Sequence, residues 1–312
     1  MANESKSLII VESPSKIKTL KKFLGSSYAV EASVGHIRDL SKTNLGVDID
    51  NNFTPTYIVS DDKSKVVKNL KKAIKGVEKI FLATDPDREG EAIAWHLVEL
   101  LKPSIPIKRL VFHEITKDAI LDSFNHIRDI DQDLVNAQET RRVIDRLLGY
   151  PISNKIWKNV SRGLSAGRVQ SPAIKVVVDR EKERSKFVKS EYWSVAATLN
   201  KDDISFSANL IKQNDTKIAT GKDFDKNTGK LAHQDALLLD KKLSDRFVED
   251  LKQSDWVVDN IQEKPYTQNP YAPFITSTLQ QEGIRKLHMS SQQVMRTAQM
   301  LYEEGYITYM RT

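Results

Sequence analysis

Two short, unbroken apolar runs constrain this chain most: Leu8 to Val11 and Ile80 to Ala83, the first leading directly into Glu12 and the second, through Thr84, into Asp85. Apolar runs without polar alternation belong to strands covered on both faces, and such strands build parallel sheets flanked by helices. The segments between them agree. SPSKIKTLKKFLG places Ile17, Leu20 and Leu24 at helical spacing, with Ser13 as a cap, Pro14 at the first helical position and Gly25 as the stop. Tyr28 to Val34 alternates like a strand. A lysine-rich helix is expected over about 62–75, with Val66, Leu70, Ala73 and Ile74 on one face. KIFLAT then reads as a strand, GEAIAWHLVELL as a helix and RLVFHEI as a further strand, before a helix from Thr116 through Ile120, Phe124 and Ile127. This alternation predicts an α/β domain over residues 1–130, a mostly parallel sheet with helices on both faces.

Beyond residue 131 the pattern changes, so the chain reads as multidomain. DLVNAQETRRVIDRLLGY is expected as a long helix with Leu134, Ala137, Ile144 and Leu148 on its apolar side and Arg142, Asp145 and Arg146 elsewhere. SRGLSAGRVQ (161–170) is rich in Gly and Ser, and IKVVVDREKERSKF resumes as a helix. Residues 192–220 turn β-like, with Ile204, Phe206, Ala208 and Leu210 alternating with polar positions. Helical signals return from Pro270 to Gly305, and YITYMRT after it reads as extended. No repeat or low-complexity tract is present.

Composition narrows the chemistry. At 39% hydrophobic residues, 312 residues form a globular protein of two or three domains. No apolar run is long enough to span a bilayer, and MANESKSLII lacks the core of a signal peptide, so a soluble cytoplasmic protein is expected. The absence of cysteine excludes disulfides and zinc–thiolate sites. Net charge +6 permits a polyanionic partner without demanding one. GxxxxGK[ST], GxGxxG and HExxH are all missing, so nucleotide-driven, dinucleotide and zinc-protease chemistry lack their usual signals.

The crowded acids carry more information. Asp85, Asp87, Glu89 and Glu91 occupy alternate positions directly after a predicted strand, and Glu12 ends another. Ligands of α/β sheets bind beyond the carboxyl ends of strands, and magnesium takes one or two carboxylates with water and phosphate completing its shell. Glu12, Asp85 and Asp87, with Glu89 as a further candidate, fit a magnesium site; helix capping is the ordinary alternative. Lys16, in a first helical turn, is either a solvated lysine or an anion contact. His36 alone is more often structural. Tyr309 and Arg311, two apart in an extended segment, can face one phosphate, but a nucleophilic tyrosine needs nearby positive charge or a base, which Arg311 and Lys16 can supply.

Taken together, VESPSK (11–16), VGHIRDL (34–40), DPDREGE (85–91), FHEIT (112–116), RRVIDRLLGY (141–150), LSAGRVQS (164–171), PFITSTLQQE (273–282) and GYITYMRT (305–312) resemble, in order, the motifs of the type IA DNA topoisomerases, in the bacterial topoisomerase I form. Eight motifs in one order are far more specific than any one alone. The resemblance implies a Toprim domain over 1–130 with a short excursion near 37–60, a helical DNA-binding segment over 131–190, a β-rich arch segment over 191–265, and the start of the tyrosine domain over 266–312. It implies that Tyr309 attacks single-stranded DNA to form a 5′-phosphotyrosine link, that Mg2+ is held by Glu12 and Asp85 with Asp87 and Glu89 assisting, that Lys16 supports the cleaved phosphate, and that Arg311 positions it. His36, Arg141, Arg142, Asp145, Tyr150, Trp157 and the loop Ser165, Ala166, Gly167, Arg168, Val169, Gln170 match DNA-contacting positions. The implied enzyme relaxes negative supercoils without ATP, as a nucleoid-associated monomer. Because the chain stops three residues after Tyr309, where the family continues, a fragment unable to relax plasmids is expected. The alternatives are a Toprim nuclease or primase, which shares the acids but not the tyrosine, and a non-catalytic DNA-binding module.

Overall fold

The computed structural model describes residues 7–41, 44–233 and 235–311; the start of MANESKSLII, part of the 37–60 excursion and Thr312 of the last motif lie outside them. The chain divides into two compact units, one of residues 1–168 with 270–312 and one of 169–269.

The first unit opens with β1 (Ser7–Val11), α1 (Ser15–Leu24) and β2 (Tyr28–Ala32), followed by β3 (Arg38–Leu40), β4 (Val47–Asp48), β5 (Thr54–Pro55) and β6 (Tyr57–Val59). Next come α2 (Ser64–Ala73), β7 (Lys79–Ala83), α3 (Arg88–Leu101), β8 (Ile107–Arg109), α4 (Lys117–Ser123) and the long α5 (Gln132–Asn159). The central sheet is parallel, in the order β2-β1-β7-β8. The unbroken apolar runs are explained by the two faces they serve. Ile9, Val11, Phe81 and Ala83 enter one buried cluster, while Leu8, Ile10, Ile80 and Leu82 enter another on the opposite face. The chain leaves β1 toward β2 on one side and leaves β7 toward β8 on the other, so their adjacent carboxyl ends form a topological switch point, where such sheets open a ligand crevice.

Several expected elements differ in extent. The strand read into RLVFHEI is only Ile107–Arg109; after Leu110 N–H donates to Leu82 O at 3.0 Å the chain leaves the sheet, and Leu110, Phe112 and Ile115 fill the first cluster instead. On α5 the buried residues are Val135 and Gln138, whereas Ile144 and Leu148 of the expected apolar side are exposed. The helix packs against α3 chiefly through its early turns.

The second unit holds α6 (Gln170–Lys186), the antiparallel pair β9 (Ala196–Lys201) and β10 (Ile204–Asn209), a small sheet of β11 (Lys212–Gln213), β12 (Thr216–Ile218) and β13 (Ala236–Leu237), and α7 (Lys241–Lys252). Its core is Val195, Ile218 and Leu239, against which α7 lays Leu243, Phe247 and Leu251. The chain then rejoins the first unit through α8 (Thr276–Leu287) and α9 (Ser291–Glu303). Tyr302, Tyr309 and Met310 are buried in the same cluster as Ile9 and Val11, so the segment carrying the last motif is part of the sheet domain's own core. That segment is irregular rather than a strand.

Candidate active site

The site forms at the switch point. Val11 pairs with Ala83 in the β1–β7 register, which brings Glu12 beside the loop from Thr84 to Asp87. Asp87 caps α3, its Oδ1 accepting from Gly90 N–H at 2.8 Å, so the capping alternative holds for this residue. Gly90 must be glycine: a Cβ there would stand 2.1 Å from Asp85 O and 2.8 Å from Asp85 N. The acidic loop therefore lies directly on the first turn of α3.

Lys16 is buried and ion-paired with Asp85, its Nζ also 5.0 Å from the ring centre of Tyr302. Burial first, then Asp85 and Asp87, push the Glu12 carboxyl up to about 7 against the pull of Lys16. The buried lysine thus pairs with Asp85 and acts on Glu12, while Asp87 is taken up by Gly90 N–H and the Tyr309 phenol. Tyr309 reaches the same loop from the far end of the sequence. Its phenol donates to Asp87 Oδ2 at 2.5 Å, its backbone N–H donates to His113 O at 2.7 Å, and Met310 O accepts from the Thr276 hydroxyl. Gly305, at φ +83° and close against Ile115 O, turns the chain from α9 into this segment. Burial, the Asp87 hydrogen bond and the charge of Asp85 raise the Tyr309 phenol above its ordinary range; Arg311 pulls it down by less. Of the two cations expected to act on the phenol, Arg311 pulls it down and Lys16 is engaged by Asp85.

Beneath the loop lies a network that motif reading did not single out. Arg109 is fully buried, and its guanidinium donates to Leu82 O at 2.7 Å, to Thr84 Oγ1 at 2.8 Å and to Asp85 O at 3.3 Å. Its Nε reaches Glu91 Oε2 at 3.1 Å. Glu91 also accepts from Arg128 on both oxygens and from Asp131 N–H, each at 2.8 Å. Burial pushes the Glu91 carboxyl up, but the hydrogen bond from Arg128 and the charge of Arg109 outweigh it and leave it below the usual range. Glu91 was visible only as one of four alternating acids; its long-range partners leave no local signal.

Glu89 points away from Asp85 and Asp87. It accepts from Gln138 at 3.2 Å and lies 3.3 Å from His36 Nε2, and the His36 contact chiefly holds it down at about 2 despite burial. These residues line a polar pocket with Arg38, Asp39, Tyr57, His96, Arg141, Arg142 and Asp145. Arg38 donates to His96 Nδ1 at 2.9 Å, and burial followed by the Arg38 charge drives His96 down to about 3, so it is neutral. Arg142 is gripped by Asp39 through Nε at 3.0 Å, and Asp145 pairs with Arg168 at 2.6 Å rather than with Arg141 or Arg142. A second cleft along α5 is lined by Arg142, Asp145, Arg146, Tyr150 and Trp157. Arg146 stands 5.4 Å from the Tyr150 ring, and both aromatic rings are about half exposed, as base-stacking platforms need to be. The Trp157 indole donates to Leu164 O, and Ala166 N–H donates to Ser153 Oγ at 3.1 Å, fixing Ser165–Arg168 beside α5. Val169 and Gln170 begin the second unit.

Among the described residues no three Asp, Glu or His side chains converge closely enough to grip one ion. The donor set nonetheless fits hydrated magnesium, which takes one or two carboxylates and keeps its waters: Glu12, Asp85 and Asp87 are an under-neutralised cluster at the mouth of the crevice.

A switch-point parallel sheet with acidic turns after β1 and β7 defines a Toprim domain, whose profile matches residues 7–115. A DNA topoisomerase profile matches residues 129–312, and the chain belongs to the DNA topoisomerase family, of type IA. It is 49% identical over 320 residues to DNA topoisomerase 1 of Synechococcus elongatus, covering 98% of this chain and 36% of that protein. To DNA topoisomerase 1 of Streptomyces coelicolor it is 48% identical over 331 residues, covering 100% of this chain and 35% of that protein. Full-length topoisomerase I from Thermotoga maritima superposes with a TM-score of 0.77 at 38% identity, over 98% of this chain and 49% of that one. The chain thus spans about a third of the length of the curated relatives it matches. No helix among the described residues is long and apolar enough to cross a membrane.

Proposed function

We propose that this chain carries the cleavage centre of a magnesium-dependent topoisomerase that relaxes negatively supercoiled DNA by cutting and resealing one strand. The observation that carries the reading is the hydrogen bond from Tyr309 to Asp87, made across 222 residues of sequence, beside Asp85 and Lys16. A tyrosine buried against acids is a poor nucleophile as it stands, but it is held where a phosphodiester entering the crevice would meet it. In this reading Asp87 takes the phenol proton as the Tyr309 oxygen bonds to phosphorus, and the 3′ oxygen, as its bond to phosphorus breaks, takes a proton from water and leaves as a hydroxyl. The product is a tyrosyl ester of the 5′ phosphate, and attack by the 3′ hydroxyl reverses the step. Because the ester keeps the energy of the original bond, no ATP is consumed.

Glu12, Asp85 and Asp87 would hold magnesium, which when bound supplies charge neutralisation for the phosphate and the acids. Lys16, once its partner is shared with the ion, and Arg311 provide cations for the phosphate. Glu89 we place with the polar pocket, where it orients His36 and Gln138. His36, Arg141 and Arg142 would hold the DNA backbone, and Tyr150 and Trp157 would stack on unpaired bases.

The test uses the chain extended to the length of its relatives and a labelled single strand whose scissile 3′ leaving group cannot religate. A covalent adduct that needs magnesium and disappears in Tyr309→Phe is expected. Metal-dependent cutting that survives Tyr309→Phe would show a nuclease instead.

A further inference from the structure

The lysines of α2 take no part in the site described above, and their arrangement is unlike that of the basic helices α6, α7 and α8. Helices α1 and α2 contain no Asp or Glu, whereas every other α-helix among the described residues contains at least one. On α6, α7 and α8 the cations pair within the helix, as in Lys175–Asp179, Lys252–Glu249 and Arg285–Glu282. Lys65, Lys68, Lys71, Lys72 and Lys75 are all exposed, and none of them has an ion-pair partner among the described residues. With 3.6 residues per turn the four on α2, Lys65, Lys68, Lys71 and Lys72, fall within an arc of about 120° and along about 10 Å of the helix axis, beside the face where Val67 and Leu70 are buried, and Lys75 follows in the turn after the helix.

The ridge also joins the site. Lys63, just ahead of α2, donates to Val34 O at 2.9 Å, and Ser60 N–H donates to Ile37 O at 3.3 Å, so the start of α2 abuts the segment that presents His36 to the polar pocket. No aromatic side chain interrupts the ridge, so it can hold phosphates but cannot stack bases, and that selects duplex over single-stranded DNA.

We propose that the α2 lysine ridge is a phosphate-backbone surface for the double-stranded DNA that flanks the single-stranded segment in the active-site crevice. It rests on the reading of the site given above, but the two can fail separately. The ordinary alternative is that these lysines, packed beside edge strand β2, only discourage strand pairing between molecules.

The experiment measures binding of the 312-residue chain to a short blunt DNA duplex and to a single strand of equal length, across a salt series. Lys68→Glu combined with Lys72→Glu removes two phosphate contacts, so the salt slope for the duplex should fall by about 2. Between about 50 and 200 mM salt this is roughly a tenfold smaller loss of duplex affinity than for the unaltered chain. Single-strand binding and the melting temperature should not change. Lys241→Glu with Lys242→Glu on α7 makes the same change in net charge and should leave the duplex slope alone. An unchanged duplex slope, or equal losses in both double variants, overturns the ridge. If the Tyr309 adduct forms while the duplex arm does not respond, the ridge alone is wrong; if the duplex arm responds and no adduct forms, the catalytic reading alone is wrong.

Discussion

Replacing Glu91 by alanine removes the carboxylate that four donors share, and the structure sets the size of the loss. Arg109 is fully buried, so its guanidinium cannot turn to water; its carbonyl acceptors remain, but its Nε and the Asp131 N–H lose their partner. Arg128 is partly exposed and can swing out to solvent. Breaking a buried pair from one side costs about 3–5 kcal/mol, a large share of the 5–15 kcal/mol that holds a typical domain together. For a unit of this size each kcal/mol lowers the melting temperature by about 2–4 °C, so Glu91→Ala should lose on the order of 10 °C. Thermal and urea unfolding measure this, with hydrogen exchange of peptides from β7 and α3 assigning it to the sheet domain. The double replacement Glu91→Leu with Arg109→Met removes both charges and should recover at least half of the loss, because the penalty comes from the orphaned cation rather than from the missing bond. A single-variant loss under about 1 kcal/mol, or a double variant worse than the single, would refute this account of the network.

Two further outcomes follow from the same geometry. Gly90→Ala forces a methyl group onto the Asp85 backbone, which has no rotamer to yield; it should cost about 1–3 kcal/mol and, by displacing Asp85, reduce adduct formation by more than the stability loss accounts for, as parallel melting and cleavage assays would show. Asp39 is pushed up by burial but held lower overall by Arg142, so its contribution is present above its unfolded pKa and is lost as pH falls through the depressed folded value. The deficit of Asp39→Asn, at most about 1 kcal/mol for so exposed a pair, should therefore be full near neutrality and shrink as pH is lowered from about 5 to 3 in urea melts.

What the sequence made legible is what short-range pattern encodes. The β1 and β7 runs declared strands buried on both faces, because every residue in them has a core to enter. The acids at their carboxyl ends stand at the switch point set by the strand order. Partnerships between distant residues were not legible: Arg142 finds Asp39 and Asp145 finds Arg168, and neither choice is written in local spacing. RLVFHEI reads as a full strand, but Leu110, Phe112 and Ile115 enter the first core cluster after the chain has left the sheet, and propensity does not register which core an apolar residue fills. The apolar side of α5 was misassigned for a related reason. Periodicity identifies a stripe but not what covers it, and here the covered positions are Val135 and Gln138.

The pairing of Lys16 with Asp85 has a consequence for how the protein is made. A cluster of acids that depended on a divalent ion for neutrality would leave the newly synthesised chain waiting on the cell's magnesium before it could close its core. With the Lys16 cation already inside the crevice, the polypeptide can close this core without an added ion, so a chelator should leave the melting temperature of the chain unchanged.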